Sequence, residues 1–343
     1  MTASRKAEEF VAEDPPLPGM IGEHPLMKQV YRLVRRVAPT DFSVLIVGET
    51  GTGKELVARA LHSLSGRRGK FVAFNVAAIP ETMVEDALFG HVKGAYTGAV
   101  SDSPGYLLEA DGGTAFFDEV GAVSLSVQAK LLRAIEDRQF RPVGGQTDRR
   151  SDFRLVAATN SDLRVLAAQG RFRADLLERL HGAAVVLPPL RERMADVIAL
   201  AECFAGRGDG PSRSLAPEAV EALLTYHWPG NVRELAMTIR RAALLVSDGV
   251  IDRAAVEAAL THSAQADNRS EPSVIEMLKA LRSHGTAVAA ARSLGIARST
   301  LYERLRKAGV RLAAARVSGV SGSVRGQLAD SGHLRHRNHQ ERQ

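Results

Sequence analysis

Five short apolar runs lie between Met20 and about Pro189: Ser43–Val47, Phe71–Asn75, Thr114–Phe117, Arg154–Thr159 and Ala184–Leu187. Each is apolar almost throughout, without the alternation of a strand that shows one face to water. That pattern predicts strands buried on both faces. More than 20 residues separate successive runs, and the intervals carry helical spacing. Strands so far apart need crossover connections. The predicted fold class is therefore α/β, a parallel sheet with helices on both faces.

From residue 191 to 262 the pattern changes. No run reads as a strand. Asp196–Phe204, Ala216–Tyr226 and Arg233–Ser247 read as helices, the last two parted by Trp228-Pro229-Gly230. The polar stretch THSAQADNRSEP follows, then helical spacing again over Ser273–Gly309. Beyond Arg311 come Ala, Ser, Gly, Arg and His with little periodicity. The expected organisation is a flexible N-terminal segment (1–18), an α/β subdomain (19–190), an all-helical lid subdomain (191–262), a linker (263–272), a small helical domain (273–310) and a basic disordered tail (311–343).

Composition narrows the classes. Of 343 residues, 45% are hydrophobic and 24% charged, which excludes wholesale disorder. No apolar run approaches the roughly 18 residues of a membrane span. The opening MTASRKAEEFVAEDPP lacks the apolar core of a signal peptide. A single cysteine, Cys203, can form neither an internal disulfide nor a zinc site alone, so a cytoplasmic location is the simplest expectation. The net charge of +6 is uneven: residues 271–343 hold 13 basic and 5 acidic residues, net +8, leaving −2 for the remainder. On charge alone, a polyanion partner and a solvated basic tail fit equally well.

The first apolar run ends in Gly48-Glu49-Thr50-Gly51-Thr52-Gly53-Lys54-Glu55, and a helical stretch follows. Glycines let the backbone turn its N–H groups inward, the helix N-terminus favours anions, and Lys54 can reach terminal phosphates. The generic pattern ends in Ser or Thr; Glu55 stands there instead. The third run delivers Asp118 and Glu119 to the C-terminal edge of the sheet, where ligands of such sheets bind. Asp118 suits Mg²⁺, and Glu119 suits orienting a water. Together these predict an ATPase using ATP and Mg²⁺.

Between the two nucleotide motifs lies Gly94-Ala95-Tyr96-Thr97-Gly98-Ala99, preceded by Leu88-Phe89-Gly90-His91. Its small residues cannot build a core, and one aromatic stands among them. A mobile contact loop and a locally packed Gly-rich turn both fit that composition. With this hexapeptide the chain resembles the sigma-54-dependent transcription activators, or bacterial enhancer-binding proteins, of the AAA+ ATPase superfamily, over roughly Met20–Gly309. The resemblance implies that Gly94–Ala99 contacts sigma-54, and Tyr96 stands where Phe is usual. Ala87 and Val92 stand where acidic residues are frequent, and Glu at position 55 is usual.

The resemblance implies further roles. Asn75 would hold Glu119 in an inactive pose. Thr159-Asn160 would sense the terminal phosphate. Arg173 and Arg179 would act as arginine fingers across a subunit boundary, and Arg233 would contact nucleotide from the lid. Fingers acting in trans imply a ring, expected as a hexamer, of this chain alone or with a related activator. The family often carries an N-terminal regulatory domain. Here the ATPase pattern begins near residue 20, so control is expected from elsewhere: a regulatory protein in trans, a co-activator subunit, or the amount of protein made.

Residues 287–307 read as helix, Gly turn, helix, with Ala290, Leu294, Ile296, Leu301 and Leu305 as a small core. Arg298, Ser299, Thr300, Tyr302, Glu303, Arg304 and Arg306 remain for groove and phosphate contacts with double-stranded DNA. The segment resembles a Fis-type helix-turn-helix. The implied function is an activator that binds an upstream site and uses ATP hydrolysis to open the closed promoter complex of sigma-54 RNA polymerase. Two rivals remain at this point: a DNA-binding regulator or repressor of the same fold that remodels nothing, and a chaperone-like remodeller of another target. An intact contact loop speaks against the first and the helix-turn-helix against the second.

Overall fold

The structure, a computed structural model, describes residues 15–206, 213–247, 249–267, 274–294, 296 and 298–307. The chain divides into two compact units, Met1–Ala266 and Asp267–Gln343.

The first unit is built on a sheet of five parallel strands: β1 (Val44–Val47), β2 (Phe71–Asn75), β3 (Thr114–Asp118), β4 (Arg154–Thr159) and β5 (Ala183–Val186), in spatial order β2-β3-β4-β1-β5. The predicted runs and the observed strands agree within a residue or so. In β1, Leu45 joins the core on one face of the sheet, while Val44 and Ile46 join the core on the other. In β4, Leu155 and Ala157 oppose Val156 and Ala158 in the same way. The pleat sends successive side chains to opposite faces, so a strand covered on both sides must be apolar throughout. Helices Pro25–Val37 and Lys54–Leu64 cover one face, and Glu81–Phe89, Leu125–Asp137 and Ala174–Leu180 contribute to the core on the other.

A third core, centred on Trp228, joins helices Ala195–Gly206, Pro217–Thr225, Asn231–Leu245 and Arg253–Asp267. Three sequence expectations change here. The expected linker at 263–272 begins too early, because the last helix runs to Asp267. Its THSAQAD segment contains no Pro or Gly to stop it. The 191–262 region is not free of strands: Ser214–Leu215 pairs in parallel with Val250–Ile251. Two residues are too few to leave a periodic signal. The expected flexible segment 1–18 is docked at its end, where Leu17 is buried in the core under helix Pro25–Val37, while residues 1–14 lie outside the described set. Arg35 donates to the carbonyls of Pro15 and Pro16, which fastens the chain leading into Leu17.

The second unit holds helices Val274–His284, Ala287–Ser293 and Arg298–Lys307. Thr286 caps the middle helix by accepting from Ala289 N–H at 3.2 Å. Met277, Ala280, Ala290, Ala291, Leu301 and Leu305 form its core, with Leu294 and Ile296 packed against it. The expected tail 311–343 lies outside the described residues.

Candidate functional site

The cradle connects β1 to helix Lys54–Leu64. Gly51 and Gly53 adopt φ of +81° and +106°, in the left-handed region that L side chains rarely enter. At Gly51 space is lacking as well: a Cβ there would stand 2.3 Å from the Gly230 carbonyl. Thr52 is buried, and its hydroxyl closes the loop by donating to the Glu49 carbonyl at 2.7 Å. Glu55 turns to Arg59 one helical turn on, at 2.7 Å.

Lys54 is buried, with Nζ donating to the Gly48 carbonyl at 2.9 Å and lying 3.5 Å from Glu119 Oε1. Asp118 ends β3, and Glu119 follows at φ +56°, a conformation that costs a non-glycine residue about 1 kcal/mol or more. That bend aims Glu119 back across the sheet edge. Its Oε2 accepts from Asn160 N–H at 3.3 Å, and Asn160 Nδ2 donates to Thr50 Oγ1 at 3.2 Å. The end of β4 thus joins the cradle, supported by the Gly48 N–H donating to the Thr159 carbonyl at 3.2 Å.

The expected Asn75–Glu119 contact is replaced. Asn75 sits in register with Asp118, but its Oδ1 caps the following turn by accepting from Ala77 N–H at 3.0 Å. That cap fixes the orientation of the amide, and Glu119 is held by Lys54 and by Asn160 N–H instead. Asn75 still lines the cavity.

That cavity, about 510 Å³, is bordered by Thr50, Gly51, Lys54, Asn75, Asp118 and Glu119 on one side and by Leu56, Phe204, Val232, Arg233 and Ala236 on the other. It has a charged end and an apolar end. Burial, and next the neighbouring Glu119, push the Asp118 carboxyl above its ordinary value, while Lys54 opposes them. Two crowded carboxylates with one ammonium favour an added cation. No cluster of three or more metal-ligating side chains exists among the described residues. That donor set fits Mg²⁺, which is commonly held by one or two carboxylates together with substrate phosphates.

Sequence reasoning missed how the lid grips the cradle. Arg191 forms a two-pronged ion pair with Glu49 at 2.6 and 2.8 Å. Asn231, fully buried at φ +54°, donates to Glu49 Oε2 and to the Thr50 carbonyl, both at 3.1 Å, and accepts from Leu190 N–H at 2.7 Å. The hydrogen bonds from Arg191, then from Asn231, lower the Glu49 pKa to about 2. Buried Arg193 donates to the Thr52 carbonyl at 3.1 Å. The Asn after Trp228-Pro229-Gly230 was a visible turn signal; nothing local marked Arg191.

Arg233 stands at the cavity, its N–H donating to the Gly51 carbonyl at 3.3 Å. Arg173 and Arg179 do not border the cavity. Arg173 pairs with Asp175 at 2.6 Å, and Arg179 lines a separate hollow with Asp41 and Phe42, before the start of β1.

The hexapeptide forms a surface loop. Thr97 and Tyr96 are exposed, the latter by 46%, whereas Ala99 is buried and closes the loop through Gly94 N–H, which donates to its carbonyl at 2.9 Å. Ala99 is therefore placed as an inner anchor rather than at the contact surface. Partial burial, then Asp86, raise the Tyr96 pKa. In the second unit Arg298 lies over the Tyr302 ring at 5.3 Å, both exposed, and Thr300 is half-buried. The side chains of Ser299, Glu303, Arg304 and Arg306 lie outside the described set.

Three families match consecutive parts of the chain: the Sigma-54 interaction domain over residues 20–186, the AAA+ ATPase lid domain over 191–273 and the Fis-family bacterial regulatory protein over 275–307. The chain is 45% identical over 291 residues to the DNA-binding transcriptional regulator NtrC of Azospirillum brasilense, covering 83% of this chain and 60% of that protein. It is 42% identical over 318 residues to the transcriptional regulatory protein ZraR of Klebsiella oxytoca, covering 88% and 72%. The solved structure of NtrX from Brucella abortus in complex with ATP is similar with a TM-score of 0.66 at 30% identity, covering 90% of this chain and 73% of that one. The chain spans about half to three fifths of the length of several curated relatives it matches.

Proposed function

Since the chain belongs to the NtrC-type sigma-54-dependent transcription activators, we propose that it binds DNA upstream of a promoter, assembles into a ring and uses ATP hydrolysis to open the closed complex of sigma-54 RNA polymerase. The observation that carries this reading is the surface loop Gly94–Ala99, with Tyr96 and Thr97 exposed at its tip, on the same folded unit as the phosphate cradle and its two carboxylates.

The residues divide the work by position. The N–H groups at Thr50–Gly53 and the Lys54 ammonium hold phosphate oxygens. Bound ATP with Mg²⁺ supplies the phosphoryl group and the cation that offsets its charge. Asp118 is the carboxylate for that cation, and Glu119 polarises a water once Lys54 has turned from it to phosphate. Asn160 lies between Glu119 and Thr50, where it senses what occupies the cradle. Leu56, Phe204, Val232 and Ala236 offer the apolar wall for a nucleobase, with Arg233 beside them. Arg173 and Arg179 stand away from their own cradle, which favours action in a neighbour's site and hence a closed ring. Helix Arg298–Lys307, presenting Arg298 and Tyr302, supplies the DNA contact.

The test is transcription in vitro from a supercoiled sigma-54 promoter with purified polymerase, comparing wild type with Thr97→Ala and measuring ATPase rates in parallel. ATP-dependent open complexes that disappear in Thr97→Ala while hydrolysis persists are the expected result. Hydrolysis by the wild type without open complexes on any such promoter refutes the activator reading.

A further inference from the structure

The tip of the contact loop has few restraints. Gly94 and Gly98 take φ of +83° and +106°, with open space where a Cβ would stand. Its base is held more firmly: His91 pairs with Ser103, Val92 N–H donates to the Val143 carbonyl at 3.2 Å, and Lys93 N–H donates to Asp102 Oδ1 at 2.8 Å. Tyr96 is the tip residue whose side chain reaches a hydrogen-bond partner outside the loop. Its hydroxyl donates to Asp86 Oδ2 at 3.3 Å, and its ring meets the His91 ring at 5.3 Å in an edge-on arrangement. Asp86 belongs to helix Glu81–Phe89, and its other oxygen lies 2.6 Å from His91 Nδ1. A Phe in place of Tyr96 keeps the ring contact and loses the hydrogen bond.

We infer that Asp86 is the catch of the contact loop: by accepting the Tyr96 hydroxyl it holds the ring half-covered, and sigma-54 engages the ring only after that bond breaks. The inference rests on the sigma-54 reading above. An aromatic anchor contributes most when a partner encloses it in a desolvated pocket. With 46% of Tyr96 exposed, the surface that meets Asp86 and His91 must be freed before a partner can enclose the ring. Asp86 thereby acts as a positioning residue through Tyr96. A single solvent-exposed hydrogen bond of this kind biases the loop roughly fivefold toward the held state.

The experiment uses the full chain as wild type, Tyr96→Phe, Asp86→Ala and the double variant. Hydrogen exchange at the amides of residues 94–99 is followed without any partner. Affinity for purified sigma-54 is then measured with ADP–aluminium fluoride bound. The expected result is exchange faster by roughly fivefold and binding tighter by a similar factor in each single variant, with no further gain in the double. Tyr96→Phe keeps the His91–Asp86 pair intact, so it decides the matter should Asp86→Ala disturb the fold. Exchange unchanged in Tyr96→Phe overturns the inference. So does faster exchange with sigma-54 binding no tighter than in a wild type that binds. Failure of the wild type itself to bind sigma-54 overturns the functional reading and with it the role of the catch, whatever the exchange shows.

Discussion

Asn231 offers a sharp test of how the lid holds the cradle. Asn231→Ala removes the acceptor of the buried Leu190 N–H and the donor shared by Glu49 and the Thr50 carbonyl. An orphaned buried N–H costs about 1–3 kcal/mol, and the lost bond to a half-exposed carboxylate adds about 1 kcal/mol. The backbone at φ +54° suits Asn better than Ala and contributes roughly another 1 kcal/mol. The sum is about 3–5 kcal/mol, a large fraction of the stability of a domain. At about 4–8 °C per kcal/mol for a unit of lid size, it corresponds to a fall in the midpoint of lid unfolding of roughly 12–40 °C. The assay is intrinsic fluorescence on heating, because the chain's single tryptophan, Trp228, is buried in the lid core with Nε1 donating to the Leu223 carbonyl at 2.9 Å. Asn231→Gly separates the terms: it loses the same side-chain bonds but relieves the backbone, and should recover about 1 kcal/mol relative to Ala. The Michaelis constant for ATP should rise in both variants, since Thr50 loses a fixed neighbour. A drop of less than about 1 kcal/mol in Asn231→Ala, with unchanged ATP affinity, would refute the view that this side chain fastens lid to cradle.

Two further outcomes follow from the same site. Glu119→Gln keeps the shape and removes the carboxylate proposed to polarise the water, so ATP binding should stay within a few-fold while turnover falls by about 10²-fold or more; equal losses in binding and turnover would assign Glu119 to binding. The lowered Glu49 pKa makes the junction acid-sensitive in one direction: its stabilisation is complete above the ordinary carboxylate value of 4.5 and is lost as pH falls through about 2. With Glu49 43% exposed, solvent screening reduces this contribution to about 1 kcal/mol. Arg191→Gln should flatten the corresponding limb of a Trp228-monitored stability–pH curve, and two curves of identical slope would count against the pairing.

Local chemistry was legible in the sequence wherever it sits within one turn or one strand. Apolar runs announced strands covered on both faces, glycines announced the tight turn of the cradle, and the carboxylates of Asp118 and Glu119 followed from their place at the C-terminal end of β3. Helical spacing likewise marked Leu301 and Leu305 as the core of the second unit. Partnerships across the fold were decided by tertiary structure alone. Asn231 lies 182 residues from Glu49 and Arg191 lies 142 residues from it, so no periodicity or turn rule links them. Leu17 is one apolar residue in a Pro-rich stretch, and only the groove it meets makes it core. Asn75 shows the same limit at short range. Its place at the end of a strand was readable, but only the folded backbone decides that Oδ1 meets Ala77 N–H while the carboxylate of Glu119 finds its donors in Lys54 and Asn160. Hydrophobic period and φ preference are properties of neighbouring residues, whereas hydrogen-bond partners are chosen by distances that exist only after the chain has packed.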